Sequence, residues 1–99
     1  MGYVVVVTFD TSADNHVSAK HLLNEYIEGF LCQQDGFIES WLNEREDNGG
    51  YLHFARWEKE SNFRAFAAKA KDHPLLPAIR EFNGSAVFYN DVGHYRPQE

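Results

Sequence analysis

Residues 36–66 read GFIESWLNER, EDNGG, YLHFARW and EKESNFRAF, and no other stretch limits the folding of this chain so strongly. Two aromatic-rich runs flank a cluster of turn residues, and the second leads straight into helical spacing. Asn48 and Gly49 tolerate the positive φ that a two-residue hairpin loop demands, while Asp47 and Gly50 add further turn chemistry. A loop of those two residues sets Glu44 opposite His53 and Ser40 opposite Trp57, all on one face of the sheet by the period-two rule. Trp41, Asn43, Phe54 and Arg56 then occupy the other face.

The remaining elements fall around this hairpin. Residues 3–9 (YVVVVTF) form a strand apolar on both faces, so each side of its sheet needs a cover. The segment DTSAD supplies a helix entry, with Ser12 or Asp14 as N-cap. A helix over residues 15–33 follows, its apolar stripe running through Val17, Leu22, Leu23, Tyr26, Ile27, Phe30 and Leu31. Gly29 inside it costs up to about 1 kcal/mol relative to alanine, so the stripe carries the assignment. Phe63, Phe66, Ala67 and Ala70 keep the i, i+3, i+4, i+7 template, which predicts a second helix over 60–72 ended by Pro74. A short helical turn at 75–82 and a last strand at 85–92 complete the order, and 93–99 form a polar tail. The order β, α, β, β, α, β is the ferredoxin-like α+β arrangement, a four-stranded antiparallel sheet with both helices on one side.

That fold leaves one sheet face bare while Trp41, Phe54 and alternate valines point to it, and a monomer would expose a large apolar patch. A two-fold homodimer that pairs the bare faces is the expected remedy. The chain has 99 residues, a single domain burying roughly 65% of its unfolded surface. Its 9 Lys and Arg against 15 Asp and Glu give a net charge of −6, which argues against nucleic acid as a partner. The valine run is far too short to span a bilayer. One cysteine, Cys32, and no signal-peptide layout suit a reduced, cytoplasmic setting. His16, His21, His53, His73 and His94 show no HxxxH or HExxH spacing, so no metal is expected. No GxGxxG or P-loop pattern indicates a nucleotide cofactor.

Gly36-Phe37-Ile38, the turn, Ala55-x-Trp57, Glu58, Phe63 and the closing strand SAVFYNDV together resemble the antibiotic biosynthesis monooxygenase family. The resemblance covers most of the chain through element order and length. It implies a dimeric α/β barrel with a pocket between helices and sheet in each subunit. Some members oxidise phenolic polyketides or quinols without metal or flavin, some degrade haem, and many have no assigned activity. It further implies that Trp57 lines the pocket. His53 stands where the polyketide oxygenases often carry Asn, and Phe63 where some carry Tyr. Phe66 and Ala67 replace the axial His of the haem-degrading branch, and residues 3–9 lack its Asn, which disfavours that branch.

Oxygenation without a cofactor needs a phenol that can lose its proton, an apolar pocket open to oxygen, a base, and a donor for the oxyanion. His53 and Trp57, four apart on one strand, share a face and offer an imidazole and an indole N–H as catalytic groups. Glu44 beside His53 would orient the ring and favour its charged form. Leu23, Ile27, Phe63 and Phe66 would form an apolar substrate wall, with Arg80 as an anion anchor at the mouth. The expected function is cofactor-independent oxidation of a small phenolic, quinol or polyketide-type aromatic. The alternative is a non-catalytic ligand-binding or structural dimer, in which the same residues are ordinary core. Trp41 over Arg56 is expected as a cation–aromatic contact at the dimer seam.

Overall fold

The computed structural model describes residues 2–98. Its elements are β1 (Tyr3–Asp10), α1 (His16–Gly29), a 3₁₀ turn (Leu31–Gln33), β2 (Phe37–Glu44), β3 (Gly50–Trp57), α2 (Glu60–Ala70), α3 (Leu76–Arg80) and β4 (Ser85–Asn90). The four strands form one antiparallel sheet in the order β2-β3-β1-β4. This is the ferredoxin-like α+β fold. On one sheet face Tyr3, Val5 and Phe9 of β1 join Tyr51, Ala55 and Trp57 of β3 in two core clusters with Leu23, Leu31, Phe66 and Ile79 from the helical layer.

The hairpin register differs from the two-residue loop. Arg45 N–H donates to the Gly50 carbonyl (2.9 Å), which closes a four-residue loop and sets Leu42 opposite His53, Ser40 opposite Ala55 and Glu44 opposite Tyr51. Asp47 is the cause: its carboxylate accepts the Gly49 N–H (2.8 Å) and the Arg45 guanidinium (2.7 Å), so it is held inside the loop. Asn48 takes the left-handed conformation (φ 60°). The slip amounts to two residues between partners, an even number, so every side chain keeps its expected face. A bulge between Phe37 and Glu39 then brings Phe37 opposite Trp57.

Helix α1 also stops sooner than its apolar stripe suggests. Phe30 leaves helical geometry (φ −130°, ψ −60°) directly after Gly29, and a 3₁₀ turn buries Leu31. Glycine as the last helical residue loses little by ending there, and the break sets the Phe30 ring against Phe66 (5.4 Å) and His73 (4.5 Å). The N-cap is Asn15, not Ser12 or Asp14, and its side chain turns back to accept the Ser12 N–H (2.8 Å). Helix α2 ends at Ala70 and β4 at Asn90, two residues short of expectation in each case.

Two glycines admit nothing larger. Gly36, at φ +80°, leads into β2 with the Asn62 side chain 2.1 Å from where a Cβ would stand. At Gly50 a Cβ would lie 2.0 Å from the Phe9 carbonyl oxygen, which is backbone in the neighbouring strand. On the reverse face Trp41 packs on Phe54 (5.6 Å), while Arg56 pairs with Glu39 and Asp91, and no Trp41–Arg56 cation–aromatic pair forms. Paired carboxylates on both sides hold the guanidinium more firmly than an indole face would. Val4 is buried there, in a small cleft that Gly93 and His94 help to line.

Candidate functional site

A cavity of about 360 Å³ lies between the sheet and the helices, near the lower end of the ~300–1,000 Å³ that small-molecule sites occupy. Its floor is built by the period-two rule from β1, β3 and β4: Val5 and Val7, then His53, Ala55 and Trp57, then Ala86. Alanines at 55 and 86 leave the space that larger residues would fill. The roof comes from α1 and α2 through Leu23, Tyr26, Ile27, Phe63 and Phe66. Leu76, Ile79 and Arg80 of α3 and the following turn, Asn83 and Gly84, complete the lining. Asn83 makes that turn at φ 53°, and Gly84 lies close under the Phe9 ring, so the chain passes the cavity edge tightly.

Two polar groups stand in this apolar lining without partners. His53 is 6% exposed and Trp57 is 0% exposed, and neither His53 Nε2 nor Trp57 Nε1 has a hydrogen-bond partner among the described residues. An unpaired buried donor or acceptor costs roughly 1–3 kcal/mol, so filled core normally eliminates such groups. Burial pulls the His53 pKa down from 6.5 to about 4, so its resting form is neutral. Four residues of strand separate their backbones by about 13 Å, so the two rings reach toward a ligand from its ends rather than meeting at one atom.

Of the sequence-derived site residues, His53, Trp57, Leu23, Ile27, Phe63, Phe66 and Arg80 surround this cavity. Arg80 is exposed at its edge. Glu44 does not, because the hairpin register carries it away from His53. Its carboxylate meets His16 Nε2 (2.7 Å), in a cluster where Thr11 Oγ1 lies 2.6 Å from His16 Nδ1 and Tyr51 donates to the His16 carbonyl (2.8 Å). The Tyr51 ring stacks on His16 at 4.6 Å. This cluster fastens the start of α1 to the hairpin, and no carboxylate favours a charged His53. Tyr26 also lines the cavity, although its place in the α1 stripe marks it only as core; a hydroxyl on the core side of a helix is the signal that sets it apart. Among the described residues no group of three or more His, Cys, Asp or Glu could hold a metal ion. No described helix is long and apolar enough to cross a membrane.

Fold and cavity together define a class: a small ferredoxin-like α+β domain with one apolar chamber, roofed by helices, that carries an imidazole and an indole. No protein-family model and no curated protein matches the chain. Solved structures do. SnoaB from Streptomyces nogalater, a cofactor-independent oxygenase, is similar at a TM-score of 0.83 and 18% identity, over 94% of this chain and 95% of that one. A monooxygenase from the gene ActVA-Orf6 of Streptomyces coelicolor, solved with nanaomycin D, is similar at 0.81 and 22% identity, over 98% and 93%. A candidate antibiotic biosynthesis monooxygenase from Deinococcus radiodurans is similar at 0.76 and 15% identity, over 98% and 99%. The structural neighbours thus include antibiotic biosynthesis monooxygenases, and at these identities the likeness is one of fold.

Proposed function

We propose that the chain is a monooxygenase that oxidises a small phenolic or quinol-type aromatic with dioxygen and no resident cofactor. The observation that carries this reading is the pair of unpartnered buried groups, His53 Nε2 and Trp57 Nε1, in a chamber lined mostly by apolar side chains. A fold neighbour described as a cofactor-independent oxygenase supports it. The neutral imidazole accepts the phenol proton. The phenolate passes one electron to dioxygen, the radical pair joins at a ring carbon, and the resulting peroxide takes the proton back from His53. Where that carbon carried a hydrogen, loss of water from it leaves a quinone, so phenol and dioxygen become quinone and water, and a quinol attacked at such a carbon becomes a hydroxyquinone and water. Apolar walls keep bulk water from the radical pair.

The energetics constrain how the proton moves. A phenol near pKa 10 and an imidazole pulled down to about 4 differ by roughly 8 kcal/mol against transfer. The phenolate–imidazolium pair recovers about 5 kcal/mol by attraction at contact distance in a medium of effective dielectric ~20. The remaining few kcal/mol are small against the ~16 kcal/mol barrier of an ordinary turnover of ~10 s⁻¹. The phenolate is therefore a transient species. Oxygen uptake on hydroquinones and anthrones tests the reading: protein-dependent uptake above background is expected, and uptake equal to the background would end it.

We also propose a homodimer through the reverse sheet face. Trp41, Val87 and Tyr89 are each about half exposed there, while Arg56 is satisfied within its own chain by Glu39 and Asp91. A largely apolar face whose guanidinium is already paired within its own chain suits a second copy of itself better than a charged partner. Sedimentation is expected to give a dimer that Trp41→Glu converts to monomer. A wild-type monomer at tens of micromolar would refute it.

A further inference from the structure

The reaction above uses the imidazole, with the indole at the other end of the ligand, and leaves a third polar group of the cavity unassigned. Tyr26 lines the cavity from α1, across from the β3 residues, and belongs to the packing of both core clusters. Its ring is fixed by edge-on contact with His73 (5.1 Å) and by Phe30 (5.6 Å) and Phe66 (6.3 Å). The Tyr3 and Tyr51 hydroxyls each hold a hydrogen bond, to Arg64 (3.3 Å) and the His16 carbonyl (2.8 Å), whereas that of Tyr26 takes part in none among the described residues. Burial pushes its pKa up to about 12, so it stays a neutral phenol and cannot compete with the substrate as the acid.

Two-ended recognition follows from the chemistry of the ligand. A quinone product carries two oxygens on opposite ring edges, and a quinol substrate carries both from the start. The oxygen remote from His53 is a hydroxyl before oxidation of a quinol, both donor and acceptor, and a carbonyl afterwards, an acceptor only. An indole N–H or a guanidinium can donate to either but leaves the proton of the quinol hydroxyl without an acceptor. A hydroxyl matches both by rotating. The amide of Asn83 shares that ability but is exposed at the edge.

Resting on the reading of this cavity as a phenol site, we propose that the Tyr26 hydroxyl recognises a second oxygen of the ligand, on the ring edge away from His53. Tyr26 is then a specificity residue that selects dioxygenated rings over simple phenols. A residue that only packed its ring against Phe30, Phe66 and His73 would lose nothing on replacement by phenylalanine.

The test is calorimetric titration without oxygen, comparing 1-naphthol with 4-methoxy-1-naphthol, which differ by the second oxygen. Wild type is expected to bind the methoxy compound about three- to tenfold more tightly, the range of one neutral hydrogen bond. Tyr26→Phe should remove that preference while leaving the affinity for 1-naphthol within about twofold. A preference that persists in Tyr26→Phe but disappears in Trp57→Phe would overturn the assignment, as would a wild type with no preference or with no binding of either probe. Oxygen uptake is read separately. A Tyr26-dependent preference in a protein that consumes no oxygen leaves the recognition standing and removes the oxidation.

Discussion

Trp57→Ala is expected to lower the stability of the fold by about 3–5 kcal/mol, the cost of removing a fully buried large aromatic. The side chain is 0% exposed and touches Phe37 (5.6 Å), Phe63 (5.9 Å) and Phe66 (5.3 Å), so its loss empties the point where β2, β3 and α2 meet. Against a total of ~5–15 kcal/mol for a domain, that leaves a marginal protein. Trp57→Phe separates core from site. It keeps a ring in the cluster and also relieves the cost of an unpartnered indole N–H, so stability should change by no more than about 1 kcal/mol. Turnover should nevertheless fall about tenfold or more, because the N–H that meets the negative charge passed to dioxygen at the end of the ligand away from His53 is gone. Urea denaturation and oxygen uptake on both variants measure the two effects. If Trp57→Phe matched wild type in uptake, the indole would be packing and nothing else.

The element order was legible because each element declares its own period. The valine run, the stripe through Leu23 and Ile27, and the spacing of Phe63, Phe66 and Ala70 required no knowledge of their neighbours. Which residues share a sheet face was legible for the same reason, and it survived a wrong hairpin loop because the register changed by an even number. What failed was decided by single hydrogen bonds. Asp47 binds the Gly49 N–H and so lengthens the loop, a choice that Asn48-Gly49 alone does not reveal. Gly29 reads as a costly interior residue until the structure shows the helix ending on it.

At the site, the residues that a strand or helix period assigns to the inner face do surround the cavity, as His53, Trp57, Leu23, Ile27 and Phe66 show. Glu44 was misplaced because its position depended on the exact partner across the hairpin, not on its face. The cavity itself was not legible. It exists because Ala55 lies beneath the helices and Ala86 borders the space on the exposed strand β4, and alanine in a strand reads equally well as tight packing. The His16 cluster was also hidden, since Thr11, His16, Glu44 and Tyr51 are far apart in the chain and meet only once the register is known.

His53→Leu is expected to reduce kcat/KM for phenol oxidation by about 10²–10⁴-fold, the range supplied by a positioned general base. The same substitution should leave a distinct mark on the pH dependence of stability. Folding lowers the His53 pKa to about 4 from an unfolded value of 6.5, so the unfolded chain binds more protons between those limits. Stability from this group is complete above pH 6.5 and is lost as the pH falls toward 4, in total about 3 kcal/mol. Denaturant unfolding at pH 7.5 and 4.5 should thus show wild type losing about 2–3 kcal/mol more than His53→Leu over that interval, other carboxylates being common to both. In the free enzyme the acid limb of kcat/KM should lie near pH 4, with a flat profile from pH 5.5 to 8. A limb near 6.5, with no difference between the two unfolding profiles, would show an imidazole open to water and incompatible with the buried, largely apolar surroundings of His53 on which the chemistry depends.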